Sequence, residues 1–521
     1  MRLQMVLLSA LTSLAFVGQL AHAQADSDKP RGIERRPGHQ QHVKGVHPGY
    51  TIEQARPDDF EPQTGAMAFS PDGKFLAIGT FHPMNAHIDL DEPNGTLYIL
   101  ENPTAKDTGK MVVHKVDDQL FSPLGACWLD DALFVLERNE ISKWTDGDGD
   151  GIPEKKESFA SGWISDNFHH FSFGLPHHDG YLYGALSTTL HLTPEERRSV
   201  KGKIISHNSP NPEHRGCLMK VDAKTGEIEW IAGGLRTPNG VGVGPEGIVL
   251  VPDNQGDWKP ANMIYVAKGG EFFGKYNNTE ATTDFYPEGG VPSLFSEKEP
   301  TPPAIWLPQN EIANSPSATL LIPDGHLFAG QVLMADVTQG AIHRVFMEEV
   351  DGTWQGAAFR HSMGLEAGPN RLAWGPDGCL YVAGIGQGSG NWGWSGKKFG
   401  LQRMRLSGES AFEFEKIQAT KDGFRVSFTR PVPKDQLADK RNWRIDGWTY
   451  VPRPQYGGPK SEQYQVRPSA IRVAEDRKSV ELVIKDLRPN FVYHIRTDPT
   501  SDKGEKMWSC ESWVTFHKAP K

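Results

Sequence analysis

A short apolar run, an acidic-Gly turn and a second apolar run recur along this chain. The phrase reads GAMAFSPDGKFLAIGTF over Gly65–Phe81, LGACWLDDALFVL over Leu124–Leu136, FGLPHHDGYLYGA over Phe173–Ala185 and NGVGVGPEGIVLV over Asn239–Val251. Shorter forms cover Ile322–Asp336 and Asn370–Gly384. Asp-Gly supplies the positive φ values of a tight hairpin, so each unit predicts two paired strands. Units spaced by roughly 50–80 residues are what four-stranded blades leave in a sequence. The pattern therefore predicts an all-β protein with a six-bladed β-propeller over residues 50–406.

Beyond Ser407 the rhythm changes. Alternating apolar and polar residues over Phe424–Phe428, Trp443–Ile445, Ile471–Val473, Val480–Ile484 and Val492–Ile495 predict half-exposed antiparallel strands. Residues 407–521 read as a small β-sandwich of the fibronectin or immunoglobulin kind. The one helix expected is short, Thr193–Ser199, opened by a Thr-Pro cap.

Composition narrows the function classes. The 521 residues carry 55 Gly and 38 Pro, as a turn-rich fold needs, and a formal charge of −10 that excludes nucleic acid as the expected partner. Arg2, the apolar run Met5–Val17 and Ala21-His22-Ala23 make residues 1–23 a secretion signal cut after Ala23. Residues 24–49 read as a polar linker, and no segment is long and apolar enough to span a membrane. A periplasmic or extracellular location is expected. The four cysteines are scattered; Cys127, Cys217 and Cys379 lie in apolar strand-like runs and read as buried thiols, a disulfide is permitted by the compartment but not assigned by the spacing, and no C-x-x-C-H haem motif occurs.

Three stretches carry candidate chemistry. Asp146-Gly-Asp148-Gly-Asp150-Gly-Ile152 with Glu157 fits a twelve-residue calcium loop, with carboxylates at Asp146, Asp148, Asp150 and Glu157 and the Ile152 carbonyl as ligands. Its flanks are strand-like, so the loop is expected to fix a turn within a blade. His169 precedes the third unit's inner strand, where a neutral imidazole at the channel mouth would serve as a general base. Arg236 holds the matching place one blade later, and the Gly256-Asp257 turn follows it. An arginine there would fork onto a carboxylate, and the turn would offer carbonyl oxygens to a cation.

With these residues in view, Tyr50–Met404 resembles the soluble quinoprotein glucose/sorbosone dehydrogenase family, and within it a secreted bacterial subgroup with a C-terminal sandwich. The likeness lies in His169…Gly180-Tyr-Leu-Tyr183, in Gly234-Leu-Arg236-Thr-Pro-Asn-Gly240 and in Val251–Gly270. The resemblance implies a propeller that binds pyrroloquinoline quinone (PQQ) and Ca2+ and oxidises an aldose hydroxyl. It further implies His169 as the base, Arg236, Asn239, His343 and Arg344 toward the cofactor, and the Gly256 and Asp257 carbonyls on calcium. The expected partners are a small sugar or alcohol and a separate electron acceptor. Two other readings stay open: a non-catalytic propeller that binds glycan or protein, and a calcium-dependent lactone or ester hydrolase.

Overall fold

The computed structural model describes residues 43–82, 90–189, 199–200, 203–204, 211–277, 291–386 and 397–521. The expected signal segment, most of the expected linker and residues 193–198 of the expected helix lie outside the described residues.

Each repeat forms the first two strands of a sheet. Thr64–Phe69 pairs with Phe75–Phe81, Gly125–Leu129 with Ala132–Leu136, and Ser172–His178 with Tyr181–Leu186. Gly242–Val243 pairs with Val249–Asp253, Pro316–Leu321 with Val332–Asp336, and Gly368–Trp374 with Leu380–Ile385. The turns are made by the chemistry read in the sequence. Asp179 and Gly180 have φ of 49° and 83°, and Glu246 and Gly247 have 55° and 77°. The Asp130-Asp131 turn closes because Asp130 itself adopts φ 49°, a region that Asp tolerates. The fifth unit is offset: Ile322–Asp336 holds the turn and second strand, and the inner strand Pro316–Leu321 lies just upstream.

The first strands of the six sheets pack on one another in sequence order, and the last returns to the first. Tyr50–Gln54 closes the ring by pairing with Phe399–Leu406 as the outer strand of the sixth sheet. Phe81, Leu124, Phe171, Phe173, Val337 and Ile385, drawn from five of the sheets, fill the axis with apolar side chains. Just beside this plug, Arg371 donates to Leu124 O and Asn239 O, and Asn370 donates to Thr64 O. The ring is thus cross-braced through its centre.

The C-terminal residues form two sheets around Phe424, Val426, Phe428, Ile445, Tyr493, Ile495 and Val514. One sheet holds Phe414–Thr420, Gly423–Phe428, Ser479–Val483 and Ala470–Val473. The other runs through Ser461–Val466, Arg444–Thr449, Phe491–Arg496 and Glu511–Phe516. Glu511–Phe516 also pairs with Thr353–Ser362, the outer strand of the fifth ring sheet, so one eight-stranded sheet crosses from ring to sandwich.

All four cysteines are free thiols. Among the described residues no helix is long and apolar enough to cross a membrane.

Candidate functional site

His169 precedes the inner strand of the third sheet, and Arg236 lies between the third and fourth sheets. Their placement follows from backbone contacts between the two. His169 Nδ1 lies 2.6 Å from Thr188 O, and Thr188 N donates to Arg236 O at 2.9 Å. A carbonyl only accepts, so Nδ1 carries a proton, and in the neutral ring Nε2 is the lone-pair nitrogen. Phe168 and Phe171 meet the imidazole edge-on, each with centroids at 5.8 Å, and hold its plane.

The contacts continue into a closed circuit. Arg236 Nε lies 3.6 Å from Asp257 Oδ1, and Lys275 Nζ lies 2.6 Å from Asp257 Oδ2. Two residues beyond Lys275, Asn277 accepts from Asn211 at 3.3 Å, and Asn211 accepts from Thr189 N at 2.7 Å. Thr189 adjoins Thr188, where the circuit began. Successive contacts therefore link His169, Arg236, Asp257 and Lys275.

Asp253, at the end of the fourth sheet's second strand, organises the loop. It accepts from the amides of Arg236, Thr237 and Asn254 at 2.9, 2.7 and 3.0 Å. Lys259 Nζ stands 3.3 Å from its carboxylate and donates to Tyr265 Oη and Phe273 O. Burial pushes the Lys259 ammonium down to about 8, with Asp253 opposing that shift. Beside His169, His170 is buried and its pKa is lowered to about 4 by desolvation, with Asp166 opposing, so it is neutral at pH 7.

Several buried polar atoms around Arg236 have no hydrogen-bond partner among the described residues: Arg236 Nε, Thr237 Oγ1, Asn254 Oδ1 and Trp258 Nε1. Groups so placed carry a desolvation cost that a polar ligand would relieve. Trp258 adopts φ 64°, a strained region for a bulky side chain, and its ring meets Tyr276 at 4.9 Å. The sandwich reaches this place too. Trp258 N donates to Arg453 O, Gly457 N donates to Gly256 O, and the half-exposed Tyr456 ring covers the Arg236 guanidinium at 5.1 Å.

Of the two main-chain carbonyls expected on calcium, that of Gly256 does not fit a cation. Gly256 O already accepts from Lys259 N and Gly457 N, which uses both lone pairs. The Asp257 carboxylate faces an ammonium and a guanidinium, which would repel a divalent ion. An anionic group does fit. Arg236, Lys259 and Lys275 face Asp253 and Asp257, three cations against two carboxylates, with orphaned donors beside them.

Two further expectations are corrected. Asn239 lies on the channel axis, where its side chain bonds Asn370 and Arg371, and so it belongs to the central brace. Arg344 is fully buried at the joint with the sandwich, donating to Gln331 Oε1, Glu413 Oε2 and the carbonyls of Phe414 and Glu415, between the rings of Phe328 and Phe359. His343 is buried on the same strand. Adjacent residues of a strand point to opposite faces, and both faces are buried at this end of it.

Beside Arg344, ligand atoms of His47, His361 and Glu413 come within 4.8 Å of one another. The two imidazoles stack with planes only 18° apart, so their lone pairs run side by side instead of converging. Glu413 is already shared by His47 and Arg344. This cluster is a hydrogen-bonded joint between N-terminal segment, ring and sandwich.

In the acidic loop, Asp146 accepts from Asp148 N, Gly149 N and Gly151 N, and Asp150 accepts from Ile152 N. Ligand atoms of Asp146, Asp148 and Glu154 lie within 4.8 Å of one another. Glu157 instead lies on the strand Lys155–Ser161 and pairs with Lys143 at 3.5 Å, while Glu154 accepts from Gly147 N at 2.9 Å. The loop joins the outer two strands of the second sheet, away from the mouth.

Residues 40–385 match a family model described as a domain of unknown function, DUF7133. No curated protein matches the chain. Among solved structures, a calcium-containing Trichoderma reesei enzyme of carbohydrate-active family AA12 aligns at 12% identity and TM-score 0.46, over 71% of this chain and 99% of that one. A PQQ-bound aldose sugar dehydrogenase from Streptomyces coelicolor aligns at 15% identity and TM-score 0.42, over 69% and 99%. A luciferin-regenerating enzyme aligns at 11% identity and TM-score 0.40, over 69% and 96%.

Proposed function

Because the chain belongs to the DUF7133 family, whose description assigns no activity, we propose its function from the site itself: a PQQ-dependent dehydrogenase that oxidises a sugar or alcohol hydroxyl. The observation that carries the reading is the circuit joining His169, Arg236, Asp257 and Lys275 at one mouth. The sequence resemblance set out above supports the same reading.

In this reading Arg236 and Lys275 hold the carboxylates of the quinone, and Asp257 fixes both cations in place. When bound, PQQ supplies a two-electron acceptor for hydride. His169 Nε2 takes the hydroxyl proton, and the Thr188 carbonyl stabilises the imidazolium through Nδ1–H. The apolar plug of Phe171 and Phe173 behind the base excludes water from the axis. Electrons then leave to a separate acceptor, and the protein acts after export. Calcium belongs to the Asp146–Glu154 loop, where it would brace a turn.

The test is reconstitution with PQQ followed by dye reduction across a panel of aldoses. Saturable, aldose-dependent reduction supports the proposal. One observation favours a second reading, a propeller that binds glycan without turnover: Arg344 lies at the joint, which leaves the mouth fewer cations for a tricarboxylate. Glycan binding without any PQQ binding at micromolar concentration would select it.

A further inference from the structure

Beneath the central brace, the lower half of the channel opens into a cavity of about 360 Å³ lined by residues of all six inner strands. Its walls include Met67, Leu175 and Val241, and among the described residues no carboxylate lines it. It is distinct from the mouth. Inner strands run from His169 toward His178, and the cavity takes Gly174–His177 from their far half.

Arg371 faces this space. Nη1 donates to Asn370 O at 2.7 Å, to Asn239 Oδ1 and Asn370 Oδ1 at 3.2 Å and to Asn239 O at 3.4 Å, and Nη2 donates to Leu124 O at 2.7 Å. A guanidinium has five N–H groups, and here Nε has no partner among the described residues while Nη2 has spent one of its two hydrogens. Nε and Nη2 form the edge that grips a carboxylate bidentately. The Thr319 hydroxyl, also on the cavity wall, is likewise without a partner. Arg371 is 8% exposed and among the described residues no ion pair includes it, so its charge is met by neutral oxygens alone. Burial brings its pKa down to about 9, which leaves it protonated at neutral pH.

The cavity backbone is also irregular. Ladder register breaks between Thr64 and Ala66, Gly174 and His177, Pro316 and Thr319, and Pro369 and Arg371, and Leu175 takes φ 117°. Such bulges re-aim groups that a regular ladder would occupy. A space of this size holds about ten waters or one small organic acid.

We propose that the lower channel is a binding site for a small monoanion of the carboxylate class, held by the Nε–Nη2 edge of Arg371 and by Thr319. An anion there neutralises a buried charge and fastens four of the six sheets through one guanidinium. This site is independent of the dehydrogenase reading.

The test uses the full chain. Its melting temperature is followed against sodium formate and sodium acetate, with a bulky sulfonate salt at matched ionic strength as control, and bromide-soaked crystals are examined for anomalous peaks. A saturable rise of about 3 °C at a hundredfold excess over Kd is expected with the small carboxylates. The response should vanish in Arg371→Gln and weaken in Thr319→Val, which keeps the brace intact should the first variant fail to fold. Bromide should lie against Arg371 Nε. An indifferent wild-type melting temperature, an unchanged response in both variants, or no bromide at Arg371 would each overturn the proposal.

Discussion

Replacing Asp257 with Asn removes one charge and little volume, and the account predicts opposite effects on stability and on cofactor affinity. Asp257 stands 2.6 Å from Lys275 Nζ and 3.6 Å from Arg236 Nε, with all three side chains nearly inaccessible. Two unit charges about 4 Å apart at an effective dielectric near 20 interact by about 4 kcal/mol, and breaking one side of a buried pair costs about 3–5 kcal/mol. Asn retains an acceptor for Lys275, so a loss of about 3 kcal/mol is expected, read as a lower urea midpoint at unchanged slope. The same change leaves two unneutralised cations at the mouth. PQQ, monitored by quenching of protein fluorescence, should bind about tenfold more tightly, equivalent to about 1.4 kcal/mol. At a hundredfold excess over Kd it should restore about 2.7 kcal/mol of stability. Weaker PQQ binding in Asp257→Asn, together with a calcium requirement for that binding in the wild type, would show Asp257 to be a metal ligand and refute the reasoning.

Three other outcomes follow from the same geometry. His170 has a folded pKa near 4 against an ordinary value near 6.5, so the unfolded chain binds the extra proton first and stability falls as pH drops through that window, by about 3 kcal/mol at the lower end; urea titrations from pH 7 to 4 should show this slope flattened in His170→Gln. Calcium should raise the melting temperature of the wild type and not that of Glu154→Ala or Asp148→Ala, with turnover of the PQQ-loaded enzyme unchanged. Arg344→Met should cost about 3–5 kcal/mol while PQQ affinity stays within about twofold, because Arg344 serves the joint with Glu413; a tenfold loss of affinity would return Arg344 to the cofactor site.

What the sequence made legible was local. Asp-Gly and Glu-Gly turns announced the hairpins because φ preferences act over two residues, and they fixed five of the six units to within a few positions. The fifth slipped because its inner strand, Pro316–Leu321, is separated from its partner by the turn-rich stretch Ile322–Gln331. His169 and Arg236 were legible through their place in the repeat. Lys275 and Lys259 were not: nothing in FFGKYN or GDWKPA marks a lysine that will be buried against an aspartate, since that depends on loops meeting across the ring. The sandwich strands Phe414–Thr420, Ser461–Val466 and Glu511–Phe516 escaped notice, and with them the continuous sheet through Thr353–Ser362 that draws Arg344 away from the mouth. Glu157 fitted a spacing rule written for a helix-flanked loop, whereas the hairpin turns Glu154 inward.

The most direct test of the central claim is a PQQ titration of wild type, His169→Gln and Arg236→Met, each followed by aldose-dependent dye reduction. One shared mouth predicts that His169→Gln binds PQQ as the wild type does and fails to turn over, whereas Arg236→Met loses at least about tenfold in affinity. Unchanged turnover in His169→Gln, or unchanged affinity in Arg236→Met, would contradict it.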